Sequence, residues 1–270
     1  MRTGFLGRLT DALDDGSFLV GVSLNGPTPH LVNAQATTMS LGSANDLWFM
    51  EPPDWADAVA YQQGLRRFDG GEDGLASLVS DSYMQLLDLA ADLATSGGGS
   101  EVDWENPMIN DGGSLGQQLY LAADLINADV GTRVLYASSG DYDTHSGHQR
   151  RQEQNLAEVD AAVDGFLNRA EEMGFADQVL VATVSEFGRR VEENGNGNGL
   201  DHGAGSTMLL AGPVGDHRLG EAPALDDLDE DGNLRVTAGF DRYLASLAEE
   251  WLGVEATSVL ANSPAPLGIL

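Results

Sequence analysis

The 270-residue chain contains no cysteine and no lysine. Without thiols it forms no disulfide and offers no thiolate to a metal, so redox compartment is not readable from it. Any ion must be held by Asp, Glu, His or backbone oxygen. No apolar run approaches the roughly 20 residues that a membrane span needs. The opening Met1-Arg2-Thr3-Gly4-Phe5-Leu6-Gly7-Arg8 lacks the long apolar segment of an export signal. The chain as written is therefore expected to be soluble, and its location is otherwise open.

Positive charge is also scarce. Thirteen arginines face 43 acidic residues, a net charge of −30. Such a chain should repel nucleic acid and anionic lipid. It is not a disordered acidic chain, because 42% of its residues are hydrophobic and four are Trp. At this length a single domain buries roughly 70–75% of its unfolded surface, so one domain over 1–270 is expected. A folded protein with so acidic a surface repels itself at low salt, a lever used by halophiles. Molar salt shortens the Debye length to about 3 Å and relieves the repulsion. Arginine without lysine fits, since guanidinium is the less hydrated cation and clamps carboxylates bidentately. A salt-requiring protein of a halophile is the expectation.

Residues 1–130 are the harder to read. Residues 18–24 suggest a strand, closed by the turn sequence Asn25-Gly26-Pro27. Helices are expected over 55–67, 78–93 and 114–126, with a loop at Gly97-Gly98-Gly99. Residues 131–270 carry clearer signals. A short strand spans 133–137. Ser146 and Gln149 make a capping box. The helix it opens sets Leu156, Val159, Val163, Phe166, Leu167 and Ala170 on one face, and Gly174 suits a left-handed stop. Strands follow over 179–184 and 207–211, then an amphipathic helix over 240–252 ending at Gly253. Strand, helix, strand predicts a right-handed βαβ unit and an α/β fold.

Three motifs then stand out. Asp141, Asp143 and His145 alternate just after a strand, and in an extended segment alternate side chains share a face about 7 Å apart. The plain alternative is an acidic turn favouring the next helix N-terminus. Glu186, in Ser185-Glu186-Phe187-Gly188-Arg189-Arg190, follows the 179–184 strand, where ligands of α/β sheets gather. Arg189 suits an anion or an ion pair with Glu186. Asp201-His202-Gly203 precedes the 207–211 strand, after a segment in which Asn-Gly occurs three times. If the two strands pair antiparallel, Glu186 and His202 share one end, and a parallel 133–137 strand brings His145 there too. Carboxylate with imidazole suits Zn, Mn or Fe-like ions.

Other signals are weaker. Asp227-Leu228-Asp229-Glu230-Asp231-Gly232 starts like a calcium loop, but Ala238 stands where the bidentate Glu belongs; an acidic turn is expected. Gly112-Gly113-Ser114-Leu115-Gly116 satisfies G-x-S-x-G, yet a nucleophile elbow needs a preceding strand, and Ser114 with Gln117 reads better as a helix cap. A serine esterase using Ser114 is kept as an alternative. His148 lies near His145; His30 and His217 have no assignable partner.

Taken together and in order, Tyr142-Asp143-Thr144-His145, the 185–190 motif and Asp201-His202-Gly203 resemble the family known as domain of unknown function 1501, grouped with alkaline phosphatases and sulfatases. The resemblance extends from Gly4 to the 240–252 helix and is most specific between Arg133 and Gly212. It implies an alkaline-phosphatase-like layered fold with a mainly parallel central sheet flanked by helices. It implies one or two divalent ions, Zn or Mn favoured, held by Asp143, His145, Glu186, Asp201 and His202, with Arg189 facing a small anionic ester. Family members usually begin with an apolar strand ending in Gly-Gly-Asn-Asp-Gly, often after an export signal. Here only Gly70-Gly71-Glu72-Asp73-Gly74 imitates it, without a strand before it. A truncated frame, a partner chain supplying that segment, or a member without activity are the expectations that follow. The reading is a divalent-metal hydrolase of phosphate or sulfate esters, with a non-catalytic metal-binding or interaction remnant as its alternative.

Overall fold

The computed structural model describes residues 3–43, 46, 75–95, 105–215, 218–262 and 264–270. The expected 55–67 helix, the Gly97-Gly98-Gly99 loop, the 70–74 run and His217 lie outside these residues. The fold is mixed α/β and divides into two compact units, 1–105 with 118–138, and 106–117 with 139–270.

In the first unit three strands form a parallel sheet. They are β1 (Gly21–Ser23), β2 (Thr38–Ser40) and β3 (Val134–Tyr136), in the order β2-β1-β3. All three residues of β1 are buried, as befits a central parallel strand covered on both faces. Leu19, Val20 and Val22 are 0% exposed. Gly21 is required where it stands: a Cβ there would lie 2.7 Å from the Thr10 methyl on the Phe5–Leu13 helix. The expected 78–93 helix runs Leu75–Thr95. Among the described residues no helix is long and apolar enough to cross a membrane.

The second unit holds the short Pro107–Asn110 helix and the long His148–Met173 helix. The latter buries Ala162, Phe166 and Ala170, one residue per turn. Leu156, expected on that face, is 45% exposed, because the helix packs only through its later turns. The 114–126 helix runs Gly113–Asn127. A side chain on Gly112 or Gly116 would strike the Met108 carbonyl, and one on Gly112 would also meet Ala162. The glycines of G-x-S-x-G thus permit close packing. A helix, not a strand, precedes Ser114, so the nucleophile elbow and the esterase built on it are set aside.

Two antiparallel ladders complete this unit. β4 (Val181–Ala182) pairs with β7 (Leu210–Ala211). β5 (Gly188–Glu193) pairs with β6 (Leu200–Gly203), a hairpin across the Asn-Gly segment that the sequence pattern does not predict. The expected βαβ unit is not formed by hydrogen bonds: β3 pairs with β1, and β4 pairs with β7. The helix Phe240–Ser246 widens into a π turn over Leu247–Trp251 and stops at left-handed Gly253. Its buried Tyr243 donates to the Thr183 carbonyl at 3.0 Å, and burial pushes the Tyr243 hydroxyl up to about 12.

Candidate metal site

The site is built on the β5–β6 hairpin. Arg189 pairs with His202 and Glu193 with Leu200, so four steps along β5 oppose two along β6 and β5 bulges. The Asn-Gly repeats between them are not a slack reversal. Gly195 and Gly197 take φ of 77° and 68°, and Asn198 takes 60°. This folds the turn so that its Gly197 and Asn198 carbonyls accept from Gly147 and His148, each at 2.9 Å. Those are orphan N–H groups at the start of the His148–Met173 helix. They explain why the expected Ser146 capping box does not form. Main-chain carbonyls do the capping, and Gly147 at the N-cap is left-handed with no side-chain bond.

The segment ahead of that helix is not extended. Thr144 N donates to the Tyr142 carbonyl at 2.9 Å, and His145 N to the Asp143 carbonyl at 3.2 Å. Two successive three-residue turns shorten it. They bring Asp143 and His145 closer than an extended strand would, with His145 Nε2 at 3.0 Å from Asp143 Oδ1. His202 Nε2 reaches the same oxygen at 2.8 Å. Asp143, His145 and His202 thus offer ligand atoms all within 4.8 Å of one another. The hydrogen bond from His202 holds the Asp143 carboxyl below its ordinary range, with the charges of His145, His202 and Arg189 acting in the same direction.

The rings are held in a stack. Phe187 lies on His202 with centroids 3.8 Å apart and planes 7° apart, and His145 covers His202 at 4.9 Å. Arg189 Cζ sits 4.9 Å from the Phe187 centroid. Its side chain is only 13% exposed. Nη2 donates to the Tyr142 carbonyl at 2.6 Å, and Nη1 donates to the Leu200 carbonyl. Nη2 is also 3.6 Å from Asp143 Oδ1. Arg189 therefore ties the 142–145 segment to β6. Thr144 is fully buried between them, its hydroxyl 2.6 Å from His148 Nδ1. Desolvation lowers the His148 pKa, and Arg189 adds to the effect.

Asp201 stands one hydrogen bond back, its Oδ1 at 3.2 Å from His145 Nδ1. Asn194 Nδ2 donates to that oxygen at 3.1 Å and to the His145 carbonyl at 3.1 Å. The Asn194 bond, then His145, hold the Asp201 carboxyl low. Glu186 is exposed and lies outside the converging group. Sequence reasoning missed Phe187, which sits inside the motif but carries no ligand atom, and Asn194, hidden among the Asn-Gly repeats. The calcium-loop candidate is an acidic turn, as expected. Asp229 Oδ1 accepts from its own neighbours Asp231 N and Asn233 N at 3.0 and 2.7 Å.

A family model described as "Protein of unknown function (DUF1501)" matches residues 53–221, more than half of the chain, including Asp143, His145, Glu186, Asp201 and His202. The chain belongs to this family. No curated protein and no solved structure matches it.

Proposed function

We propose that this DUF1501 member is a divalent-metal-dependent hydrolase of phosphate or sulfate esters. The observation that carries the metal reading is the shortage of protons at the centre. His145 faces a carboxylate from both ring nitrogens, Asp143 at 3.0 Å and Asp201 at 3.2 Å. A neutral imidazole has one N–H, so one of these contacts calls for a second proton or a cation. His202 turns a further nitrogen to the same Asp143 oxygen. One carboxylate and two imidazoles suit Zn or Mn better than Mg or Ca.

The ligand set proposed is Asp143, His145 and His202. A divalent ion there supplies Lewis-acid polarisation of an ester oxygen and acidification of bound water. The chain's own groups do the rest. Phe187 fixes the His202 plane, and Arg189 pins the Asp143 segment. Arg189 also places positive charge 3.6 Å from Asp143, on the side where an anionic ester would gain from it. The alkaline-phosphatase-like assignment of the fold is part of the same proposal, supported by the order of the motifs and by the parallel sheet β2-β1-β3. So is origin in a halophile, supported by the charge of −30 and the absence of lysine.

The test is elemental analysis of protein purified and dialysed in molar KCl, beside His202→Ala, followed by assays on aryl phosphates and aryl sulfates. Stoichiometric transition metal, lost in the variant, with ester turnover, is the expected result. Equal metal in both proteins overturns the site. Metal without turnover favours the second reading, a non-catalytic metal-binding member. One observation already leans that way: the motif's own hydroxyl, Thr144, is fully buried and held by His148. For the salt requirement, thermal melts from ~0.1 M to ~3 M KCl should show rising Tm as screening shortens. A flat response sinks that part.

A further inference from the structure

Asp201 and His202 are adjacent, and the family resemblance implies both as ligands of one or two ions. The hairpin argues against that. Both lie in β6, and successive side chains of a strand leave on opposite sides. His202 reaches Asp143, whereas Asp201 reaches the far edge of His145. The two nitrogens of an imidazole point away from each other. An oxygen 3.2 Å from Nδ1 therefore does not share an ion with Nε2, the atom facing Asp143. Asp201 is accordingly absent from the set of converging ligand atoms.

Its own surroundings are built. Asn194 Nδ2 spans the Asp201 carboxylate and the His145 carbonyl, both at 3.1 Å. One amide thus registers the backbone of His145 and the group that holds its ring. The turn that carries Asn194 is locked against the same segment. A side chain on Gly199 would strike the His145 carbonyl, and Asn194 N donates to the Gly199 carbonyl at 3.1 Å.

We propose that Asp201 is a positioning residue and not a ligand: it accepts His145 Nδ1–H, leaving Nε2 bare toward Asp143, and Asn194 fixes Asp201 in that task. This rests on the metal reading above. Carboxylates placed behind ligand histidines set ring orientation and basicity, and their loss typically costs about 10–100-fold in metal affinity.

Zinc affinity is measured by chelator competition on wild type, Asp201→Ala, Asp201→Asn and Asn194→Ala in molar KCl. X-ray absorption on the zinc-loaded forms counts imidazole and oxygen ligands. Long-range 15N NMR at fixed pH reads His145 in loaded and zinc-free protein. Asp201→Ala should bind zinc about 10–100-fold more weakly, at unchanged stoichiometry and with an unchanged first coordination sphere. Asp201→Asn, which keeps an acceptor, and Asn194→Ala should fall between it and wild type. His145 should coordinate through Nε2 with its Nδ1 proton retained. Loss of an oxygen ligand in Asp201→Ala, coordination through Nδ1, or affinity within twofold of wild type overturns the proposal. If wild type binds no zinc, the metal reading fails separately. The zinc-free spectra then decide this one: an Nδ1 proton on His145 that Asp201→Ala removes supports it, and its absence in wild type refutes it.

Discussion

Two acidic turns in the same compact unit meet their carboxylates in opposite ways. In the 227–235 turn, Asp229 folds back on its own backbone. Its Oδ1 accepts from Asp231 N and Asn233 N, and the Asn233 amide takes both of its oxygens. In the 142–145 segment and the β5–β6 turn, backbone groups bond to one another instead, which leaves Asp143 to face two imidazoles. The first carboxylate has few lone pairs left for a ligand. The second is short of protons. Acidic residues are everywhere in a chain of charge −30, so their number says nothing about a site. What surrounds the oxygens does.

The largest expected difference between the turns is in metal. His202→Ala removes one of three converging ligand atoms, and its zinc affinity should drop at least 100-fold. Asp229→Ala should leave zinc binding unchanged. Equal loss in both would mean that the acidic surface as a whole collects the ion.

Arg189→Gln should come next. It deletes the tie between Tyr142 and Leu200, whose part-buried carbonyls each lose a charged donor, at about 1.5–3 kcal/mol for a hydrogen bond to a charged group. Metal affinity and Tm should fall together. A change in ester KM alone, with both intact, would instead show Arg189 acting on substrate.

Gly199→Ala sharpens the contrast. Its Cβ would meet the His145 carbonyl, and overpacking costs about 1–3 kcal/mol. Gly232, at φ 78° with nothing near its would-be Cβ, bears only the backbone penalty. So Gly199→Ala should weaken zinc binding, and Gly232→Ala should lower Tm alone.

How much of this the sequence disclosed follows from what forms locally. The Gly174 stop, the 114–126 helix and the existence of the β4 and β7 strands depend on short-range pattern and were readable, whereas the pairing of those strands stood only as a condition. The motifs brought five candidate residues to notice, and three of them, Asp143, His145 and His202, offer converging ligand atoms. The γ-turns at 142–145 were not readable. They arise because Arg189, 47 residues on, holds the Tyr142 carbonyl. The Ser146 cap failed for a similar reason, since carbonyls of a distant turn had taken the N–H groups. Asp201 looked like a ligand because adjacency in sequence hides the alternation of a strand, and β6 itself was not apparent among asparagines and glycines.

The Asp229 turn carries its own pH signature. Backbone hydrogen bonds from Asn233, and then its side chain, hold the Asp229 carboxyl below the ordinary range. A folded pKa below the unfolded one gives stability that is present above the ordinary carboxylate range and lost as pH falls through the folded value. Asp229→Asn should flatten that acid limb of a Tm–pH curve, and His202→Ala should not. Asn233→Ala removes the side-chain bonds and should shrink the same limb only in part, since Asn233 N still donates to Asp229.

The smallest effect is expected where the two turns look most alike. Each has an arginine beside an aspartate: Arg235 Nε is 3.0 Å from Asp227 Oδ1, and Arg189 Nη2 is 3.6 Å from Asp143 Oδ1. By distance the first pair is the stronger. By surroundings it is not, since Arg235 is 57% exposed and Arg189 is 13% exposed. Exposed pairs contribute about 0–1 kcal/mol and fade with salt. Arg235 keeps one further bond, to the Leu228 carbonyl at 2.9 Å, which water can replace. Arg235→Gln should therefore shift Tm barely at all in molar KCl. A loss as large as that of Arg189→Gln would show that ion-pair distance, and not desolvation, sets what arginine contributes in this lysine-free chain.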